Sequence, residues 1–133
     1  MSPFEIDGID HLVLRVDNLV ESRKFYEGLL GCVMERELPE LGLYQLRAGR
    51  QLIDLVPLGG KLAGDFEIVQ KNRNLDHFCL TISPFEPDVI TKMMVSAGVS
   101  CSEVGTRYGA DGYGLSIYVT DPDGNTVELK AAR

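Results

Sequence analysis

The sequence predicts an α+β fold made of two copies of one unit: a strand, a helix and three further strands. Three observations carry this. The only two histidines stand in matching phrases, Asp10-His11-Leu12-Val13-Leu14-Arg15-Val16 and Asp76-His77-Phe78-Cys79-Leu80-Thr81-Ile82, a separation of 66 residues (77 − 11). A helix-ending glycine follows each phrase, Gly31 and Gly98, at a separation of 67 (98 − 31). Each half then ends on a strand with an acid between apolar neighbours, Ile53-Asp54-Leu55 and Val127-Glu128-Leu129, at a separation of 74 (128 − 54). A length of 133 residues fits one domain, 1–133, read as a module over 8–57, a linker over 58–73 and a module over 74–130.

Both histidine phrases are short, apolar and rich in β-branched, Leu and Phe residues, which favours strands. Asp17 or Asn18 can cap the first helix, Leu19, Phe25, Leu29 and Leu30 give it an apolar stripe, and Gly31 ends it. Residues 43–47 turn through Ala48-Gly49-Arg50 into 51–56. Gly59-Gly60 and Gly64 mark the linker. In the second half, 87–97 is helical in pattern, and Gly105, Gly109, Gly112 and Gly114 predict a long loop. Residues 117–120 then turn through Asp121-Pro122-Asp123-Gly124-Asn125 into 126–129. Tyr44 and Tyr118 share the 74-residue offset (118 − 44), which predicts equivalent places and a packing role for both.

Composition narrows the function classes. Apolar residues make up 44% and charged residues 25%, which is globular. Twenty acids against 13 bases give a net charge of −7 with no basic run, which argues against nucleic-acid binding. No segment has the roughly 18 apolar residues of a membrane span. Met1-Ser2-Pro3-Phe4-Glu5 lacks the pattern of a secretion signal, and Cys32, Cys79 and Cys101 have no CxxC spacing; reduced thiols and a cytoplasmic location are expected.

Strand parity supplies the candidate site. Alternate side chains face opposite ways, so Leu12, Leu14 and Val16 oppose His11, Val13 and Arg15, while Ile53 and Leu55 oppose Asp54. The second copy repeats this with His77 and Glu128. The apolar faces should lie beneath the helices, leaving His11, Asp54, His77 and Glu128 on the helix-free face, where a curved sheet would gather them in a cup. Two imidazoles and two carboxylates suit one divalent ion, Ni, Co, Zn, Mn or Fe. The other reading is a relic of duplication without metal, with Asp54 a plain solvated acid. Arg15 is a candidate for an anionic substrate group, and Ser116 and Tyr118 for lining the cup; Arg107, Lys61 and Lys130 read as solvated charges, and Cys79 as a small buried thiol.

These phrases, with Phe25-Tyr26-Glu27-Gly28-Leu29-Leu30-Gly31 and the stretch from Tyr118 to Leu129, resemble the vicinal oxygen chelate superfamily: glyoxalase I, bleomycin-resistance proteins, fosfomycin-resistance thiol transferases, epimerases and extradiol dioxygenases. The resemblance implies paired βαβββ modules forming a cupped mixed sheet with helices outside, one metal ion at His11, Asp54, His77 and Glu128, and a homodimer. The two-module length looks most like the glyoxalase I branch. That implies a lactoylglutathione lyase-like metalloenzyme that stabilises an enediolate of a small substrate with vicinal oxygens, with Glu128 or Asp54 moving the proton. Asp54 departs from the glutamate of that branch. Alternatives are an Fe(II) dioxygenase using His11, His77 and Glu128, a thiol transferase, or a non-catalytic resistance-type module that sequesters a small molecule.

Overall fold

A computed structural model describes residues 2–65, 67–68 and 73–133, so the expected linker over 58–73 lies partly outside the described residues. The chain divides into two compact units, Met1–Ile68 and Val69–Arg133. Each is a βαβββ module with its own four-stranded mixed sheet.

In the first unit β1 (His11–Val16) leads to α1 (Leu19–Arg23), and Asn18 caps it by accepting from the Glu21 N–H at 3.1 Å. The sequence predicts one α-helix up to Gly31, but the chain widens into a π-helical segment over Lys24–Leu29, closed by Leu30 N–H on the Phe25 carbonyl at 3.0 Å. The wider turn reduces the angle between successive side chains. That lets the adjacent rings of Phe25 and Tyr26 both be buried, edge to face at 4.9 Å. Gly31, at φ +81°, supplies the left-handed exit. Strands β2 (Val33–Leu38), β3 (Leu43–Ala48) and β4 (Gln51–Pro57) follow, and β4 lies parallel to β1 and antiparallel to β3. Leu14, Val16, Ile53 and Leu55 are buried, as parity predicts, and Leu46 on β3 is buried with them.

The second unit repeats the plan with β5 (His77–Ile82), α2 (Pro87–Ser96), β6 (Gly105–Gly109), β7 (Gly112–Thr120) and β8 (Thr126–Ala131), in sheet order β5-β8-β7-β6. Proline at the first turn of α2 forgoes an N–H that the helix leaves unbonded anyway. Ile90 and Met94 from α2 are buried, as are Ile117, Val119, Val127 and Leu129 from the sheet. The expected long glycine loop is instead a hairpin: Tyr108 pairs with Tyr113 and Gly109 with Gly112. Gly112 takes φ +91° to make the reversal, while Gly105, Gly109 and Gly114 are strand residues placed where neighbouring side chains need room. At the β7–β8 turn the Asp121 carboxylate accepts from the N–H of Asp123 (2.9 Å) and of Asn125 (2.8 Å), which explains how Asp121-Pro122-Asp123-Gly124-Asn125 holds one conformation.

Burial also sets thiol reactivity. Cys32 is buried, and desolvation of its thiolate pushes the thiol up to about 11. About one molecule in a thousand would then carry the thiolate at pH 8. Peptide-resolved iodoacetamide labelling is expected to be at least about 100-fold slower at Cys32 in the folded chain than in urea, rising about tenfold per pH unit up to pH 11. Equal labelling rates in the two states would contradict this burial.

Candidate metal centre

Each unit places one histidine and one carboxylate on the polar face of its sheet. The element that aims each imidazole is the aspartate before it. Asp10 Oδ2 lies 2.7 Å from His11 Nδ1, and Asp76 Oδ2 lies 2.7 Å from His77 Nδ1. A carboxylate on Nδ1 fixes the tautomer and leaves Nε2 as the outward donor atom, the arrangement metal-ligating histidines use. The repeated Asp-His dipeptide carries that signal in the sequence.

In the second unit the pair closes. His77 Nε2 lies 3.2 Å from Glu128 Oε1, with Glu128 buried and His77 one-third exposed. Two donor atoms 3.2 Å apart can both sit about 2.1 Å from one ion, as zinc–nitrogen and zinc–carboxylate bonds require. The chemistry and spacing of this pair therefore fit a divalent ion. Tyr118 meets the His77 ring edge to face at 5.4 Å, and the Arg107 guanidinium lies 4.4 Å over the Tyr118 ring. Ser116 is buried and accepts from Arg107 Nη1 at both its carbonyl and its hydroxyl, each 2.9 Å. Cys79, also on this face, is exposed rather than buried as a residue. Desolvation first, then the charge of Glu128, still pushes its thiol up to about 11, against the opposing charge of Lys130.

In the first unit the two members stand apart. His11 is half exposed; its hydrogen bond to Asp10 raises its pKa, desolvation opposes this, and the charge of Asp54 adds to the rise. Asp54 is buried, not a solvated acid. Both its oxygens accept from Gln45 Nε2, at 3.3 and 3.2 Å, and the Gln45 carbonyl accepts from Arg36 at 3.2 Å. Asp54 also lines a cleft of about 370 Å³ with Val13, Arg15, Leu43, Val56 and Leu62. Arg15 lies on that face as expected, its Nε donating to the Ala63 carbonyl at 3.4 Å. Among the described residues, neither unit by itself gathers three His, Cys, Asp or Glu side chains into a cluster.

Register corrects one equivalence. Asp54 pairs with Gln45, and Glu128 pairs with Tyr118. Tyr118 is thus the counterpart of Gln45, not of Tyr44, which pairs with Leu55 and points to the apolar face. Gln45 was missed because the common offset of 74 hid a one-residue difference in hairpin length.

Comparison with known proteins agrees with the fold. Residues 8–129 match the family described as Glyoxalase/Bleomycin resistance protein/Dioxygenase superfamily. The chain is 31% identical over 130 residues to a virulence protein of Salmonella typhimurium, covering 93% of this chain and 83% of that one. The crystal structure of that protein superposes with a TM-score of 0.72 over 98% of this chain and 100% of its own. A structure from the mobile metagenome of V. Pseudocholerae gives a TM-score of 0.75 at 30% identity, with 98% of both chains covered. A lactoylglutathione lyase from Agrobacterium tumefaciens, at 22% identity and a TM-score of 0.67 over 98% of this chain and 96% of its own, shares the fold. Among the described residues no helix is long and apolar enough to cross a membrane.

Proposed function

The chain belongs to the glyoxalase/bleomycin resistance protein/dioxygenase superfamily, and from that membership we propose that it is a divalent-metal-dependent lyase or isomerase acting on a small substrate with two adjacent oxygens. The observation that carries this reading is the His77–Glu128 pair at 3.2 Å, with Asp76 holding the far nitrogen of the imidazole. His11 and Asp54 are the corresponding histidine and carboxylate of the first unit, and are proposed as metal ligands in the same way. When bound, a divalent ion polarises two substrate oxygens and favours the anion formed by loss of a neighbouring proton.

The chain's own residues divide the remaining work. Glu128 is the proton carrier: it is buried, it lies 3.2 Å from His77 Nε2, and a carboxylate in such surroundings can take and return a proton during turnover. Asp54, held at both oxygens by Gln45, serves better as a fixed ligand than as a moving base. Tyr118 holds the imidazole edge, and Arg15 faces the cleft of the first unit.

A second reading is an Fe(II) dioxygenase with His77 and Glu128 among its ligands, in which the contact with Gln45 is all that Asp54 makes. Elemental mass spectrometry on untagged protein, beside His77→Ala, tests the common premise. Near-stoichiometric Ni, Co, Zn or Mn, held at least about tenfold more weakly in the variant, is the expected result. Iron, with oxygen consumed in the presence of catechols, would move the dioxygenase to first place. No metal in either protein after reconstitution would overturn both.

A further inference from the structure

Two cations on the polar face of the second sheet form no ion pair among the described residues. Lys130 is 4% exposed, yet among the described residues it forms no hydrogen bond and no ion pair. It was expected to be a solvated charge. It pairs across β7 with Ser116, and its stem runs over two glycines: a Cβ on Gly109 would come within 3.2 Å of Lys130 Cε, and one on Gly114 within 3.1 Å of Lys130 Nζ. Arg107 is held by Ser116 and Tyr118, and a Cβ on Gly105 would lie 3.1–3.2 Å from its guanidinium. Arg107 likewise forms no ion pair among the described residues, although the chain carries 20 acids against 13 bases. Three glycines thus make the room in which these two cations lie. Burying an ammonium without an ion pair is costly, and the nearest carboxylate along β8, Glu128, is turned to His77, so the arrangement leaves a place for an anion from outside the chain.

We propose that Arg107 and Lys130 form an oxyanion subsite beside His77 and Glu128, taking a carboxylate or phosphoryl group carried by the substrate. A guanidinium presents a planar fork to such a group, and an ammonium a point charge. Lys130 lies two residues from Glu128 on β8, on the same face. The assignment of the anion to a substrate rests on the reading of His77 and Glu128 as the reacting centre. The anion binding itself does not.

The test is calorimetric titration of metal-stripped full-length protein with inorganic phosphate and, separately, with acetate. One of the two is expected to bind, and which one does identifies the oxyanion. Lys130→Met and Arg107→Met should each weaken it at least tenfold, whereas Lys61→Met, at an exposed site, should not. Gly114→Ala guards against misfolding of the lysine variant: it keeps both charges, places a methyl against Lys130 Nζ, and should also weaken binding. Absence of binding by either anion, or equal binding in all variants, overturns the subsite. Arg107- and Lys130-dependent anion binding by a protein that takes up no metal would uphold the subsite and sink the metal reading, so the two failures are separable.

Discussion

Glu128→Gln is expected to lower turnover of a hemithioacetal by about 10²–10⁴-fold, the range for loss of a positioned proton carrier, while the ion stays bound. The argument starts from the strand. Val127 and Leu129 are buried in the apolar core, so β8 cannot shift without exposing them, and Glu128 is fixed on the opposite face. There it meets His77 Nε2 at 3.2 Å. Glutamine keeps the length and one ligand oxygen but cannot exchange a proton at neutral pH. Glu128→Ala removes both functions, so it should lose metal as well as turnover. The measurement is steady-state kinetics with Ni, Co, Zn or Mn, beside metal content for each variant. Wild-type turnover by Glu128→Gln would remove Glu128 as proton carrier and leave it a ligand only. Asp54→Asn is the complementary comparison. With Gln45 already donating to both oxygens, its main effect should fall on metal affinity rather than on turnover by the loaded enzyme.

Much of this was legible in the sequence, for a physical reason. Burial alternates along β1, so parity separates Leu14 and Val16 from His11 and Arg15; on the central strands β4 and β8 both faces are buried, and there the alternation is one of side-chain chemistry, Leu55 against Asp54 and Leu129 against Glu128. The repeated histidine and acid mark the two copies in the same way. What stayed hidden depends on pairing across strands rather than along them. Gln45 and Asp54 are cross-strand partners nine residues apart (54 − 45), whereas Tyr118 and Glu128 are ten apart (128 − 118). A constant offset therefore assigns Tyr44 to the wrong face. Lys130 was hidden differently. Its charge suggests solvent, and only the pairing of β6, β7 and β8 shows Gly109 and Gly114 making room for it. The π-helical stretch over Lys24–Leu29 follows from the burial of two adjacent rings, which an α-helical stripe does not anticipate.

The face assignment itself has a direct test in stability. Leu55→Ala is expected to cost about 2–5 kcal/mol, the usual range for removing a buried leucine. Leu55 is 0% exposed on β4, a central strand bonded to β1 on one side and β3 on the other. Its loss removes the transfer energy of three carbons and leaves a cavity that strands paired on both sides cannot close. Val13→Ala is the contrast. Val13 is 52% exposed on the face that carries His11, so the cost there should stay below about 0.5 kcal/mol. Urea unfolding of both variants measures the difference. The gap matters beyond stability, because Asp54 is the residue before Leu55 and must point the other way. A large loss at Leu55 with a small one at Val13 places Asp54 on the same face as Val13 and His11, where a ligand can reach it. A large loss at Val13 with a small one at Leu55 would reverse the sheet, turn Asp54 and His11 toward the core, and remove both as candidate ligands.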